Sequence, residues 1–230
     1  MKKIILLIIV MLSIQLSYGQ QIRFNDELDQ FCKSSIKEFS SISTERKALL
    51  EDVAKQLSRK HHILFTCQTN SRRTLLLQVW AQTAFYYYNI NRSSFSIGDS
   101  ISNIYQGVVD ILKESGFSYI ELVNDAPKGY IISISKKYPK NIIVPKIDLG
   151  AVDTSKVIVV NICDNGERSV LTAKTIHSNL PYKSPMSFEK TPDEKQKYFV
   201  LNKQISIEML YLAERVKEIL SKTEELPITK

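Results

Sequence analysis

The segment Cys67-Gln-Thr-Asn-Ser-Arg-Arg73-Thr74 sets a nucleophile, a fixed cation and a hydroxyl at one spacing. Cysteine, five residues, arginine and then Ser or Thr is the spacing of a loop that cradles a phosphoryl group. A loop of this length can turn the backbone N–H groups of Gln68, Thr69, Asn70, Ser71 and Arg72 toward one anion. If it opens onto a helix, the orphan amides and the macrodipole add to that field. The same field favours a Cys67 thiolate. Arg73 can grip two phosphoryl oxygens and keeps its charge at any ordinary pH. Thr74 can donate its hydroxyl to the Cys67 sulfur, and Asn70 suits a left-handed turn position. The plain alternative for Cys67 is a buried cysteine closing a core strand.

The surrounding elements must supply a strand before this loop and a helix after it. Ile63, Leu64 and Phe65 centre a short apolar strand over His62–Thr66. Leu75, Leu76, Val79, Trp80, Thr83, Tyr86 and Tyr87 recur at helical spacing beyond the loop. Upstream, Phe24–Phe39 reads as a helical lead-in, and Leu49, Leu50, Val53 and Leu57 mark a helix over Glu45–Lys60. Ser94–Ile97 reads as a strand and Asn103–Ser115 as a helix, closed by Gly116 at the cap position. Ser118–Leu122 and Tyr130–Ser135 have strand patterns. Val157, Ile158, Val159 and Val160 form a β-branched run typical of a strand covered on both faces. Thr191-Pro-Asp-Glu194 reads as a capping box. Ile205, Met209, Leu212, Val216 and Ile219 then form one buried helical stripe. Strands alternating with helices predict an open parallel sheet of α/β class, with ligands at its carboxyl edge.

The first nineteen residues read as a leader. Lys2 and Lys3 precede an apolar run, Ile4–Leu12, and Ser17 and Gly19 are small residues two apart, the plan of a secretory signal peptide. That run is too short to span a bilayer of about 30 Å. We expect cleavage near Gly19 and a periplasmic or extracellular protein, with no stable membrane insertion afterwards. The +7 formal charge falls to +5 without Lys2 and Lys3. No basic stripe of the kind needed for nucleic acid is present. Three cysteines are too few for a disulfide scaffold.

From Ile63 through Thr74, and on through Gln78-Val-Trp-Ala-Gln82 to Tyr86-Tyr-Tyr88, the chain resembles the low-molecular-weight protein-tyrosine-phosphatase and arsenate-reductase superfamily, in an exported bacterial form with an N-terminal helical extension. Ser96–Phe117 resembles its second strand and helix. Asp125-Ala-Pro127 and Ser135-Lys-Lys-Tyr138 resemble a mid-chain insertion, and Glu208-Met-Leu-Tyr-Leu212 its final helix. The resemblance spans most of Ser43 to Ser221. It implies a three-layer α/β/α fold with about four parallel strands. Residues 20–60 would be the extension, 61–224 the phosphatase-like domain and 225–230 a tail. It also implies attack by Cys67 on phosphorus to give a thiophosphate, with Arg73 and Thr74 assisting and no cofactor or metal.

Two departures stand out. The family places a general-acid aspartate before a proline on a late loop, where this chain has Ser184-Pro185. Losing such an acid costs on the order of 10²–10⁴ in rate. Glu189 and Asp193 are nearby substitutes in sequence, although Asp193 suits a helix start. In arsenate reductases a cysteine relay completes the reaction. Cys163 matches a cysteine at the end of the last strand, but the second relay cysteine is absent. The simpler reading of Cys163 is a core residue at a strand end; Cys32 has no counterpart role. His61, His62 and His177 lack ligand spacing to other donors. Tyr86–Tyr88 read as packing residues, and Lys136, Lys137 and Lys140 as a solvated cluster. The expected function is an attenuated phosphomonoester hydrolase acting on a phosphorylated substrate, best on aryl phosphates. The alternatives are a silent oxyanion-binding module, or an arsenate reductase using an external thiol.

Overall fold

The computed structural model describes residues 22–100, 103–122, 129–135, 140–143, 154–164 and 176–224. The leader, Asp125–Pro127, Lys136, Lys137 and the tail therefore lie outside the described residues.

Two helices open the chain. α1 (Asp26–Ile36) carries Asp26, Glu27 and Asp29 in its first turn, where acidic charge suits the macrodipole. α2 (Thr44–Ser58) is capped by Ser43, whose hydroxyl accepts from the Arg46 amide at 3.2 Å. β1 (His62–Thr69) then leads into α3 (Arg73–Tyr87), and β2 (Ser93–Ser100) into α4 (Gln106–Glu114). β3 (Ser118–Leu122), β4 (Gly129–Ser133) and β5 (Lys140–Ile143) follow, then β6 (Val157–Asn161), the two-residue β7 (Ser178–Asn179) and the long α5 (Glu194–Glu224).

The main sheet is parallel, in the order β2-β1-β6-β7. It is the expected α/β arrangement, with four strands and an N-terminal helical extension, consistent with three α/β/α layers. Every residue of β6 is buried, as its β-branched run predicted. Ile63, Phe65, Ile158 and Val160 face the main core with Leu50, Leu57, Trp80 and Leu212, whereas Leu64, Ile97, Val157 and Val159 form a smaller cluster. That split follows the two-residue alternation of strand side chains.

β3, β4 and β5 do not join that sheet. They form a separate antiparallel meander. The reason is chain length: six residues separate β3 from β4, and a parallel pairing needs a crossover of about a dozen or more. α3 also differs from expectation. It is buried all round from Thr74 to Phe85 rather than along one stripe. Serines make this possible on the β2 side: Ser96 donates to Gln78 Oε1 at 2.6 Å, Ser94 to the Gln78 carbonyl at 2.6 Å, and the Ser94 amide to Gln82 Oε1 at 3.0 Å. The expected capping box does not form: Glu194 Oε2 accepts from the Lys190 amide at 2.6 Å rather than from that of Thr191, and the Thr191 hydroxyl donates to the Phe188 carbonyl.

Two glycines fix close approaches. Gly116 follows α4 with φ +95, and a Cβ there would lie 2.4 Å from the Leu28 amide of α1. A Cβ on Gly98 of β2 would lie 2.4 Å from the Asn70 amide, so the loop after β1 crosses directly over this position.

Candidate active site

The parallel strands bring the ends of β1 and β6 side by side. Cys67 and Cys163 are joined there by a disulfide across 96 residues, with Cα atoms 5.3 Å apart. Cys163 is thus a bonded partner of the expected nucleophile and not merely a core residue. Both are 4% exposed. The third cysteine, Cys32, is free and fully buried, and burial pushes its thiol up to about 12.

The loop is shorter than the spacing suggested. β1 runs through Cys67, Gln68 and Thr69, with Cys67 opposite Gly98 and Thr69 opposite Ser100. Only Asn70, Ser71 and Arg72 separate strand from helix. Asn70 is not among the residues with positive φ, which corrects its expected left-handed role. It is instead a fully buried buckle: Nδ2 donates to the Ser96 carbonyl at 3.2 Å, and Oδ1 accepts from the Thr74 hydroxyl at 2.7 Å. That bond takes the Thr74 proton expected at the Cys67 sulfur. Ser71, 1% exposed, receives Arg72 Nη1 on its hydroxyl at 2.8 Å.

The two arginines part company. Arg72 makes a two-pronged pair with Glu189, with Nη2 2.8 Å from Oε2. Its guanidinium lies 4.8 Å from the Tyr105 ring centroid. Glu189 also accepts from the Tyr198 hydroxyl at 2.8 Å. Burial opposes the Glu189 charge, but the Arg72 and Tyr198 hydrogen bonds hold its carboxyl below the ordinary range. Glu189 is therefore committed to Arg72 and poorly suited to the acid role.

Arg73 turns inward. Its Nη2 lies 3.6 Å from Cys67 Sγ, and its Nη1 donates to Asp164 Oδ1 at 2.5 Å and to the Tyr182 carbonyl. The other Asp164 oxygen accepts from the Ser184 amide at 3.2 Å. Burial works against this carboxylate too, while Arg73 and the Ser184 amide lower it below its ordinary value. Ser184, at the position read as the lost acid, accepts the Met186 amide on its hydroxyl at 3.4 Å.

A buried clamp holds the 180–184 segment. Tyr182, 1% exposed, donates to Glu208 Oε2 at 2.5 Å. Arg46 of α2 reaches the same oxygen through Nη2 at 2.7 Å, and donates to the Pro181 carbonyl at 3.0 Å. The extension thus supports the loop that touches Arg73.

These groups surround a cavity of about 310 Å³, lined by Cys67, Gln68, Thr69, Arg72, Arg73, Thr74, Ile162, Asp164, Ser184 and Met186. Glu189 and Asp193 are not in its lining. Asp164, Tyr182 and Glu208 are the residues the sequence reading passed over. For Asp164 a signal existed: it lies just past the last central parallel strand, at the edge where such sheets bind ligands. His177 is exposed as expected, but its Nδ1 accepts from the Val159 amide at 3.1 Å.

No protein-family model matches the chain, and no curated protein matches it. Solved structures do. An arsenate reductase from Archaeoglobus fulgidus aligns over 66% of this chain and 98% of its own, with 13% identity and a TM-score of 0.45. A low-molecular-weight protein tyrosine phosphatase from Bacillus subtilis aligns over 68% and 97%, with 13% identity and a TM-score of 0.45. Another from T. tengcongensis aligns over 70% and 99%, with 16% identity and a TM-score of 0.41.

Proposed function

We propose that the chain is an exported, cysteine-dependent phosphomonoester hydrolase that works once the Cys67–Cys163 disulfide is reduced. The observation that carries this reading is the meeting of Cys67 Sγ and Arg73 Nη2 at 3.6 Å, in one cavity at the carboxyl edge of a parallel sheet. The reduced Cys67 thiolate attacks phosphorus while Arg73 holds the equatorial oxygens, and the alcohol or phenol departs. Water then cleaves the S–P bond, returning the thiolate and inorganic phosphate. With serine at 184, phenolic leaving groups that need little protonation are favoured. The disulfide supports export, because such bonds persist in oxidising compartments. Among the described residues no helix is long and apolar enough to cross a membrane.

The disulfide also favours a second reading, arsenate reduction with an internal rather than an external thiol. Arsenate condenses with Cys67 and loses water. The Cys163 thiolate attacks the Cys67 sulfur, arsenite leaves with the S–As electron pair, and the Cys67–Cys163 disulfide remains.

Turnover of an aryl phosphate by the dithiothreitol-reduced chain, with Cys67→Ser as control, tests the first reading. Activity equal to the control would sink it. Phosphate binding that persisted without turnover would point to a silent oxyanion module. Arsenate-dependent formation of one disulfide per chain, lost in Cys163→Ser, would establish the second reading instead.

A further inference from the structure

We infer that Arg46, contributed by the N-terminal extension, is a positioning residue for Arg73: it holds the 180–184 segment so that Arg73 keeps Nη2 beside the Cys67 sulfur. The inference rests on the reading of Cys67 and Arg73 as the reacting pair. Arg73 Nη1 donates to the Tyr182 carbonyl and to Asp164 Oδ1, while Nη2 lies 3.6 Å from Cys67 Sγ. The guanidinium is planar and rigid, so fixing Nη1 fixes the direction of Nη2. Both acceptors depend on the same segment. Tyr182 belongs to it, and the Ser184 amide holds the other Asp164 oxygen at 3.2 Å.

The segment runs on from β7 beside β6. The Leu180 amide donates to the Asn161 carbonyl at 2.8 Å, and the Tyr182 amide to the Ile162 carbonyl at 3.1 Å. The intervening Pro181 has no N–H, and its carbonyl accepts from Arg46 Nη1 at 3.0 Å. Nε and Nη2 of the same guanidinium donate to Glu208 Oε2 at 2.9 and 2.7 Å. The Tyr182 hydroxyl donates to that oxygen at 2.5 Å, and the Arg46 guanidinium carbon stands 4.3 Å from the Tyr182 ring centroid. Arg46 therefore holds the main chain just before Tyr182, the face of its ring and, through Glu208, its hydroxyl. The Arg46 side chain is 15% exposed and that of Glu208 4%, so water competes little for these bonds. Ser43 accepts from the Arg46 amide at 3.2 Å, which anchors the root of the arginine in the first turn of α2.

The path to the sulfur has two steps, Arg46 to Tyr182 and Tyr182 to Arg73. Without Arg46 the Tyr182 carbonyl shifts, Arg73 loses its fixed pose, and its charge stabilises a Cys67 thiolate less well.

Titration of the Cys67 thiol tests this in the full chain, reduced with dithiothreitol and kept anaerobic after the reductant is removed. Iodoacetamide labelling is followed across pH, and modification of Cys67 is read from its peptide by mass. Cys67 titrates among Cys163, Arg72, Arg73 and Asp164, which no variant alters. In the unchanged chain its midpoint should lie below the free-thiol value of about 8.5. Arg46→Met alone would strand the buried Glu208 charge, so it is combined with Glu208→Gln. That double variant should raise the Cys67 midpoint by about one pH unit. Arg46→Lys keeps the charge but not the planar fork, and should fall between the two. A merely structural role would lower the urea midpoint and leave the Cys67 midpoint in place. A Cys67 midpoint unmoved in both variants overturns the inference. An ordinary midpoint in the unchanged chain also overturns it, and that measurement needs no variant. Aryl-phosphate turnover is read separately: a raised Cys67 midpoint in the variants without Cys67-dependent turnover in the unchanged chain upholds the inference and sinks only the hydrolase reading.

Discussion

Glu189 and Asp164 keep their charges against burial because each is held by an arginine. Both carboxyls titrate below their ordinary values of 4.5 and 3.8. As pH falls, the unfolded chain therefore takes up these protons first, and the folded state loses ground. The stability from the two pairs is complete above those ordinary values and is lost as pH drops through the lower folded ones. Glu189→Gln should lower the urea midpoint at neutral pH and give a shallower decline as pH falls below the ordinary value of 4.5. A pH profile parallel to that of the unchanged chain would remove Glu189 from the acid sensitivity. Arg73→Lys keeps the charge but loses the planar fork. On the proposed hydrolase reading, the reduced chain carrying it should lose about 10²–10³ in kcat on aryl phosphates, the usual effect of one transition-state donor. Loss below tenfold would show that Arg73 acts only as a point charge.

The elements place these residues through a few tight contacts. Where the loop after β1 crosses Gly98, a Cβ would stand 2.4 Å from the Asn70 amide and 2.7 Å from the Thr69 carbonyl carbon. Both are backbone atoms and cannot rotate aside. Gly98→Ala should therefore cost about 1–3 kcal/mol, as overpacking does, and should shift the loop enough to weaken phosphate binding; urea unfolding and calorimetry together check this. Glu208→Ala, in the clamp, leaves Arg46 buried without its carboxylate and should cost about 3–5 kcal/mol. How far the sequence disclosed all this depends on the range of the interaction. β6, the α5 stripe and the Gly116 cap were legible because periodicity and turn chemistry are local. The parallel main sheet was legible because strands and helices alternate. The meander was legible in principle, from the six-residue link between β3 and β4, but the alternation rule masked it. Extension of β1 to Thr69 was not legible, since it depends on β2 running beside it to Ser100. Nor were the partners of Arg72 and Arg73, which come from 117 and 91 residues away and meet them only in the folded chain.

For the molecule as a whole, the positive charge of +7 does not gather around Cys67. Arg72 and Arg73 are matched by Glu189 and Asp164, and Arg46 and Arg215 by Glu208 and Glu51. The charges around Cys67 thus come close to balancing within the folded chain. The disulfide joins residues 96 apart in sequence, so reduction should lower stability by about 2–5 kcal/mol on the loop-closure argument. The division into a 20–60 extension and a 61–224 domain also acquires a physical test. Leu28, Cys32, Leu50, Val53 and Leu57 are fully buried in the same cluster as Trp80, Phe65 and Leu212. Arg46 reaches across to the Pro181 carbonyl and to Glu208. Uncovering several such side chains at about 1.5–3 kcal/mol each would cost as much as a typical whole margin of about 5–15 kcal/mol. A chain beginning at His61 should therefore fail to give a cooperative thermal transition, whereas one beginning at Gln20 should unfold cooperatively. A cooperative, phosphate-binding fragment starting at His61 would show that α1 and α2 are an appendage and that the clamp is dispensable.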